Sequence, residues 1–286
     1  MATLLSAISE MDTTYHLHIE PSKNSFGLGL GELWKFRDLL MALVMRDIKL
    51  RYRQTALGVA WVILQPLLAS GILAFVFGTV AGVTKPGRSS IFIFVLGGFI
   101  GWSLFSATLS RASQSLVQHS ALIAKVFFPR IILPASAALS ALLDVVVALA
   151  LFSLLAILSR TPFGWEIVMV PVWLGFLLML SFGLGLFSAA LSVRFRDVQH
   201  ITPVFVQILF YASPIAYPTG AVPESWRGLF LLNPLAPLFE GLRWSLLTEG
   251  QFHLWQTLYA LLFSLVVLAL GLVFFRNAER EFSDVI

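Results

Sequence analysis

The chain has no cysteine among its 286 residues, and only 12% of them are charged. The first absence excludes disulfides, thiol catalysis and cysteine-ligated metal sites, and leaves the redox compartment open. The second separates the chain from soluble domains, where about a quarter of residues carry charge. There is no G-x-x-x-x-G-K-[ST] stretch, so no phosphate loop for ATP. No Ser-His-Asp constellation or metal-ligand cluster stands out, and His119 and His200 lack metal-like spacing. The start, "MATLLSAISEMDTTYHLHIE", lacks a basic region leading into an adequate apolar core, so no cleaved leader is expected. Residues 1–32 read as a polar tail.

What is there is apolar. Hydrophobic residues make up 58% of the chain, Phe alone contributes 25, and mean hydropathy is +0.87. A helix needs about 20 apolar residues to cross the hydrocarbon core. Six segments qualify or nearly so: 57–80, 91–110, 131–158, 167–193, 199–217 and 254–275. None alternates with a period of two, and unpaired backbone is excluded from lipid, so helices are favoured over a barrel. The expectation is an all-α polytopic membrane protein with a six-span domain over 54–275.

Net charge is +4, with a pI near 9.6. Six spans put both termini on one side. With the termini inside, fourteen of the 19 Lys and Arg residues fall on the inner side, and five, Lys85, Arg88, Arg160, Arg227 and Arg243, fall in outer loops. Cytoplasmic segments collect basic residues, so the termini, including the tail 276–286, are expected in the cytoplasm.

Residues 33–53, "LWKFRDLLMALVMRDIKLRYR", run directly into the first span. Lys35, Asp38, Arg46, Lys49 and Arg53 suit one helical face, with Phe36, Leu39, Leu40, Leu43, Val44 and Leu50 as the apolar counterpart. Such a helix lies in the cytoplasmic interface. It reads either as an anchor to anionic lipid or as an anchor that also docks a protein. Nucleic acid is not an expected partner, because the run is fused to a span and carries no binding motif.

Three further stretches stand out. At 115–128 a short amphipathic helix is expected between two spans, offering Leu116, Val117, Leu122 and Ile123 beside His119 and Lys125. Apolar groups at such a place mark a partner surface, dip into the bilayer or pack under neighbouring helices. In "SVRFRDVQH", Arg194 and Arg196 end a span, and Asp197 is available as counter-charge or N-cap. Residues 223–247 hold two apolar pieces too short to span, broken at "NPLAP", and read as re-entrant or interfacial helices. Asp144 is the one acid inside a predicted span; a lone acid there reads as structural or functional, and makes a poor proton relay without a partner.

Four stretches, in order and spacing, resemble a known family: "FRDLLMALVMRDIKLRYRQTALGVAWVILQP", "LIAKVFFPRIILP", "LSVRFRDVQHITPVFVQILFYASPIAYP" and "LNPLAPLFEGLRW". The family is the membrane subunit of bacterial ABC transporters that export polysaccharides, namely O-antigen, capsule and teichoic acid. The ending "EREFSDVI" looks most like the O-antigen type. The pattern departs at His119 and Ala121, where the resemblance implies Asn. It implies a non-enzymatic subunit of an inner-membrane homodimer, served by two nucleotide-binding subunits that hold ATP and Mg. It implies an interface helix at 33–53, and a coupling helix at 115–128 using Leu116, Val117, His119, Leu122, Ile123 and Lys125. A pair of outer gate helices is implied at 223–247. The implied substrate is an undecaprenyl-diphosphate-linked glycan. Trp102, Phe105 and Tyr211 are expected to line the channel, and Arg46, Lys49, Arg51 and Arg53 to meet the diphosphate.

Overall fold

The structure, a computed structural model, describes residues 34–52, 60–83, 89–249 and 253–279. Arg53, the whole tail expected at 1–32, and residues 280–286 of the tail expected at 276–286 lie outside them. All regular structure among the described residues is helical. Arg37–Tyr52 forms α1. Ala60–Ala74 forms α2 and continues as a wider π-helical turn, Phe75–Val80. Then come α3 (Ile91–Gln118), the single turn α4 (Ser120–Ile123) and α5 (Ile132–Leu158). A 3-10 turn, Trp165–Met169, leads into α6 (Val170–Arg194), and α7 (Val198–Ala212) follows. Two short helices, α8 (Glu224–Leu231) and α9 (Leu235–Leu247), precede α10 (Leu254–Glu279).

The helix starts follow from local chemistry. Ser90 caps α3, its Oγ accepting from the Ile93 N–H at 3.3 Å. Pro134, Pro171 and Pro237 stand in the first turns of α5, α6 and α9, where a backbone N–H has no helical acceptor to lose. Asn233 fixes the break between α8 and α9. Its amide nitrogen donates to the Ala212 carbonyl and to Ser213 Oγ, and its oxygen accepts from the Leu235 N–H.

Packing centres on α3, which touches α2, α5, α6, α7 and α9. Its Phe94, Leu96, Ile100 and Phe105 meet Phe152 of α5, Leu177 of α6 and Phe239 of α9 in the larger core. A second core closes one end of the bundle, with Leu43 of α1, Leu116, Phe128, Ile132, Leu186 and Phe275. Helices α6 and α10 cross with backbones in contact: a methyl on Gly183 would lie 2.7 Å from the Val267 carbonyl oxygen. The absence of a side chain is what permits that approach.

Five of the six expected spans are helices long and apolar enough to cross a membrane: Ala60–Val80, Ile91–Gln118, Ile132–Leu158, Trp165–Arg194 and Leu254–Glu279. The sixth, expected over 199–217, stops at Ala212. Pro214 and Pro218 oppose helix beyond that point. At 15 residues, α7 is about 22 Å long by helical rise, short of a hydrocarbon core of about 30 Å.

The helix expected at 115–128 is also corrected. Residues 115–118 are the last turn of α3, which runs 28 residues without interruption. His119 leaves helical geometry at φ −111°, ψ 20°, and only Ser120–Ile123 are helical after it. Asp144, expected to lack a partner, is paired with Arg111 of α3 at 2.7 Å. Arg243, counted among outer-loop charges, is buried in α9.

Candidate functional site

Three groups of residues carry polar chemistry into an otherwise apolar bundle. The first joins α1 to the connection between α3 and α5. Leu43 and Val44 of α1 are buried, and Phe36, Leu39 and Leu40 pack against the second core, as the apolar face required. Leu50 does not join them and is exposed, with Met41 and Met45. His119 Nδ1 lies 2.7 Å from the Ser115 carbonyl oxygen and so carries the proton there. That leaves Nε2 to accept from the Arg46 guanidinium, which closes on it in a short contact. Arg46 also pairs with Asp47 at 2.7 Å. Across the same end, the Arg130 backbone N–H donates to Glu279 Oε1 at 2.9 Å and its guanidinium to the Glu279 carbonyl at 3.2 Å. The ends of α1, α3, α5 and α10 thus form one unit.

The exposed surface of this unit differs from the expected one. Leu116 is fully buried, and Leu122 and Ile123 are half-buried against the second core. Val117 and Lys125 are exposed as expected. Val126 and Phe127, the latter 77% exposed, complete an apolar surface that periodicity alone did not single out. The "VFFP" run carries the signal: Phe128 turns in and Phe127 turns out. On α1, Arg46 is engaged by Asp47 and His119, whereas Lys49 is exposed. Arg51 lies within α1 and Arg53 outside the described residues. Arg194, Arg196 and Asp197 sit exposed at the turn between α6 and α7. Asp197 stands at the N-cap position of α7, yet serves through its backbone carbonyl, which accepts from the His200 and Ile201 N–H groups.

The second group lines a cleft of about 530 Å³ between α2, α3 and α5. Its lining mixes the aromatic Trp61, Phe99 and Trp102 with the polar Gln65, Ser103, Ser106, Ser110 and the Arg111–Asp144 pair. The pair is partly open to the cleft, with side chains 31% and 24% exposed. Trp102 leads to Tyr211 through Phe210, with ring centroids 5.2 and 5.4 Å apart at each step. Tyr211 is exposed. Phe105 is fully buried in the larger core beside Trp102 and offers no surface to a passing ligand.

The third group is at the opposite end of the bundle. Arg243 is 1% exposed. Its Nη1 donates to the Pro214 carbonyl at 2.6 Å and reaches those of Ile215 and Tyr217 at 3.5 and 3.4 Å. Its guanidinium lies over the Phe94 ring at 4.4 Å, and its Nη2 is 3.9 Å from Glu240. Glu240 in turn accepts from the Thr219 N–H at 3.1 Å and from its hydroxyl. One buried ion pair therefore pins the irregular segment after α7 to α3 and α9. The charged pair three residues apart in "FEGLRW" was the available sign of it.

Comparison with known proteins bears on all three groups. Residues 38–247 match the family model described as ABC-2 type transporter. The O-antigen export system permease protein RfbA of Myxococcus xanthus is 31% identical over 256 residues, 88% of this chain and 97% of the relative. A protein of the same name from Klebsiella pneumoniae is 26% identical over 87% of this chain and 95% of its own length. The polysialic acid transport protein KpsM of Escherichia coli is 28% identical over 84% of this chain and 93% of its own length.

Proposed function

Because the chain belongs to the ABC-2 type transporter family of membrane proteins, we propose that it is the channel-forming permease of an ATP-driven polysaccharide exporter in a bacterial inner membrane. The observation that carries this reading is the likeness to an O-antigen export permease over nearly the whole of both chains. The substrate class is an O-antigen-like glycan on undecaprenyl diphosphate. The KpsM likeness supports capsule export as a second reading of the same machinery, and teichoic acid would pass by the same route. Both termini are assigned to the cytoplasm. Two copies form the conduit, and two nucleotide-binding subunits hold ATP and Mg.

The geometry supports a path for the work. An ATPase seated on Val117, Val126 and Phe127 would push on a unit in which α1, α3, α5 and α10 are bound together. From there α3 is an unbroken rod of 28 residues, about 42 Å by helical rise. Its far half meets the segment after α7 and also α9: Gly98 lies against the Ile215 carbonyl and Gly101 against Leu242 and Phe239. A displacement at the basic end is thereby delivered to the two short helices at the other, which take the role of outer gate. Lys49, Arg51 and Arg53 are assigned to attracting the diphosphate. Arg46 contributes less to that role, since its guanidinium already serves Asp47 and His119.

The test is export. Supplied with its nucleotide-binding subunit and a matching glycan, the chain restores surface polysaccharide to a strain lacking its own permease. F127D loses capture of the ATPase subunit while still inserting in the membrane. Export that continues without ATP hydrolysis, or that stops when the proton gradient is collapsed at constant ATP, overturns the reading. Intact export by the R51E/R53E double variant removes the diphosphate role alone.

A further inference from the structure

Helix α1 is held to the bundle in two different ways along its length. Its first half is held by burial: Leu43 and Val44 are buried, and Phe36, Leu39 and Leu40 pack against the second core. From Met45 to Leu50 no side chain is buried. What ties this half down is polar. Arg46 meets Asp47 on its own helix and His119 at the end of α3. The Asp47 contact is between neighbours in sequence and joins α1 to nothing else. Among the described residues, no other hydrogen bond or ion pair ties residues 45–50 to another element.

The contact exists for one protonation state of the ring. His119 Nδ1 donates to the Ser115 carbonyl at 2.7 Å. Nε2 is left with a lone pair, and a guanidinium has only protons to offer. A proton on Nε2 would replace the acceptor by a donor and set an imidazolium against the Arg46 guanidinium. No carboxylate of a described residue pairs with the ring to offset that charge. Asp47 is engaged with Arg46, α3 supplies the Ser115 carbonyl, and Lys49, Lys125 and the Arg130–Glu279 pair at the same end make no bond to the ring. Histidine is the side chain that ordinarily changes charge between about pH 5 and 8. The ring is only half-buried, so a proton can reach it. The closed contact excludes that proton and the open one accepts it, so a falling pH favours the open form.

We infer that His119 is a proton-operated release for the second half of α1. Neutral, the ring holds Arg46 and keeps α1 fastened to α3. Protonated, it lets residues 45–50 swing away, while Leu43 and Val44 keep the first half seated. Acidification of the compartment that this end faces thereby uncouples α1 from α3 and lowers export. The proton is neither carried nor consumed. Collapsing the proton gradient in a medium held at cytoplasmic pH leaves the release unengaged, so it does not mimic proton-driven transport. The inference rests on the reading above only for the compartment, the cytoplasm, and for the consequence for export. The release itself needs neither ATPase nor glycan.

The natural lack of cysteine allows a direct test. L50C/S120C reports the second half of α1 and M41C/S120C the first; all three positions are exposed. The spin-labelled full-length chain is diluted with unlabelled chain, so that each distance lies within one copy, and placed in nanodiscs. Distances are measured by pulsed electron resonance at about pH 8 and about pH 5.5, near the two ends of the histidine range. The L50C/S120C distance is expected to be short and narrowly distributed at the higher pH, longer and broader at the lower, and to return when pH is raised. The M41C/S120C distance stays fixed. With H119Q, whose side-chain oxygen accepts at either pH, the L50C/S120C distance stays short at both; with R46A it is long at both. H119N takes the place of H119Q should the glutamine variant not fold. No shift with the histidine in place overturns the release. A shift of the same size with H119Q assigns the titration to another group and overturns it too. An equal shift of the M41C/S120C pair means that the core has yielded rather than the contact, which also overturns it. Failure of the unaltered chain to export glycan sinks the functional reading instead, since none of these distances depends on transport.

Discussion

Arg243 shows how much one side chain can hold in an apolar bundle. A guanidinium buried there is tolerable only because three carbonyls, a carboxylate and an aromatic face surround it. R243Q leaves Glu240 without its cation and the carbonyls of 214–217 without their donor. The expected cost is about 3–5 kcal/mol, read by chemical denaturation in micelles. The E240Q/R243Q double variant recovers part of it, because the buried anion is then gone. An additive loss in the double variant would contradict this account. The sequence identified the apolar helix around Arg243 but counted the residue as a loop charge. Burial depends on the segment 213–219 folding back over α9, and nothing in local periodicity reports that. Asp144 carries the same lesson. Ending the second span at residue 110 placed Arg111, the partner, one residue outside it.

At the scale of elements, capping and breaking residues were the readable part. The Asn233–Pro234 break and the starts of α3, α5, α6 and α10 lie within a few residues of where composition put them. The ends that failed were those decided by packing rather than by a breaker. Helix α3 continues past residue 110 because Leu109, Ala112 and Leu116 still find buried neighbours. The second half of the expected 115–128 helix gives way to an irregular segment because Phe128 is drawn into the second core. Two outcomes follow at this scale. First, R46A and H119A each lower export, and the double variant lowers it no further than the worse single one, since both remove one contact. H119Q keeps an acceptor and retains more export than H119A. Second, G183L forces α6 and α10 apart and lowers the melting temperature of the purified protein by several degrees, whereas a bulkier side chain at Gly175, which has no neighbour within 4 Å of an added Cβ, leaves it unchanged.

For the whole molecule, burial is uneven in a way that speaks to assembly. Helix α3 is buried along most of its length, while α2 and α7 are mostly exposed and flank it. Exposed aromatics such as Trp61, Phe205 and Tyr211 sit on those two helices. If two copies build the conduit, α2 and α7 are the walls they bring together. Native mass spectrometry from nanodiscs is then expected to find two copies of the 31.6 kDa chain, and single cysteines on α7, but not on the buried face of α6, to cross-link copy to copy. Membrane residence, helical class and the basic end were plain from hydropathy and charge. The count of spans was not, because α7 is too short to be told from a helix that stops partway.

The anchoring of the segment after α7 also has a bearing on how the chain is made. Pro214 precedes Arg243 by 29 residues, so a ribosome delivers the acceptors well before the donor. Until α9 arrives, the carbonyls of 214–217 have no guanidinium to meet, and they must wait at a watery boundary rather than in lipid. Synthesis therefore leaves this segment unanchored until residue 243 has emerged, and a nascent chain halted before that point is expected to expose 213–219 to protease while the helices before it are already protected.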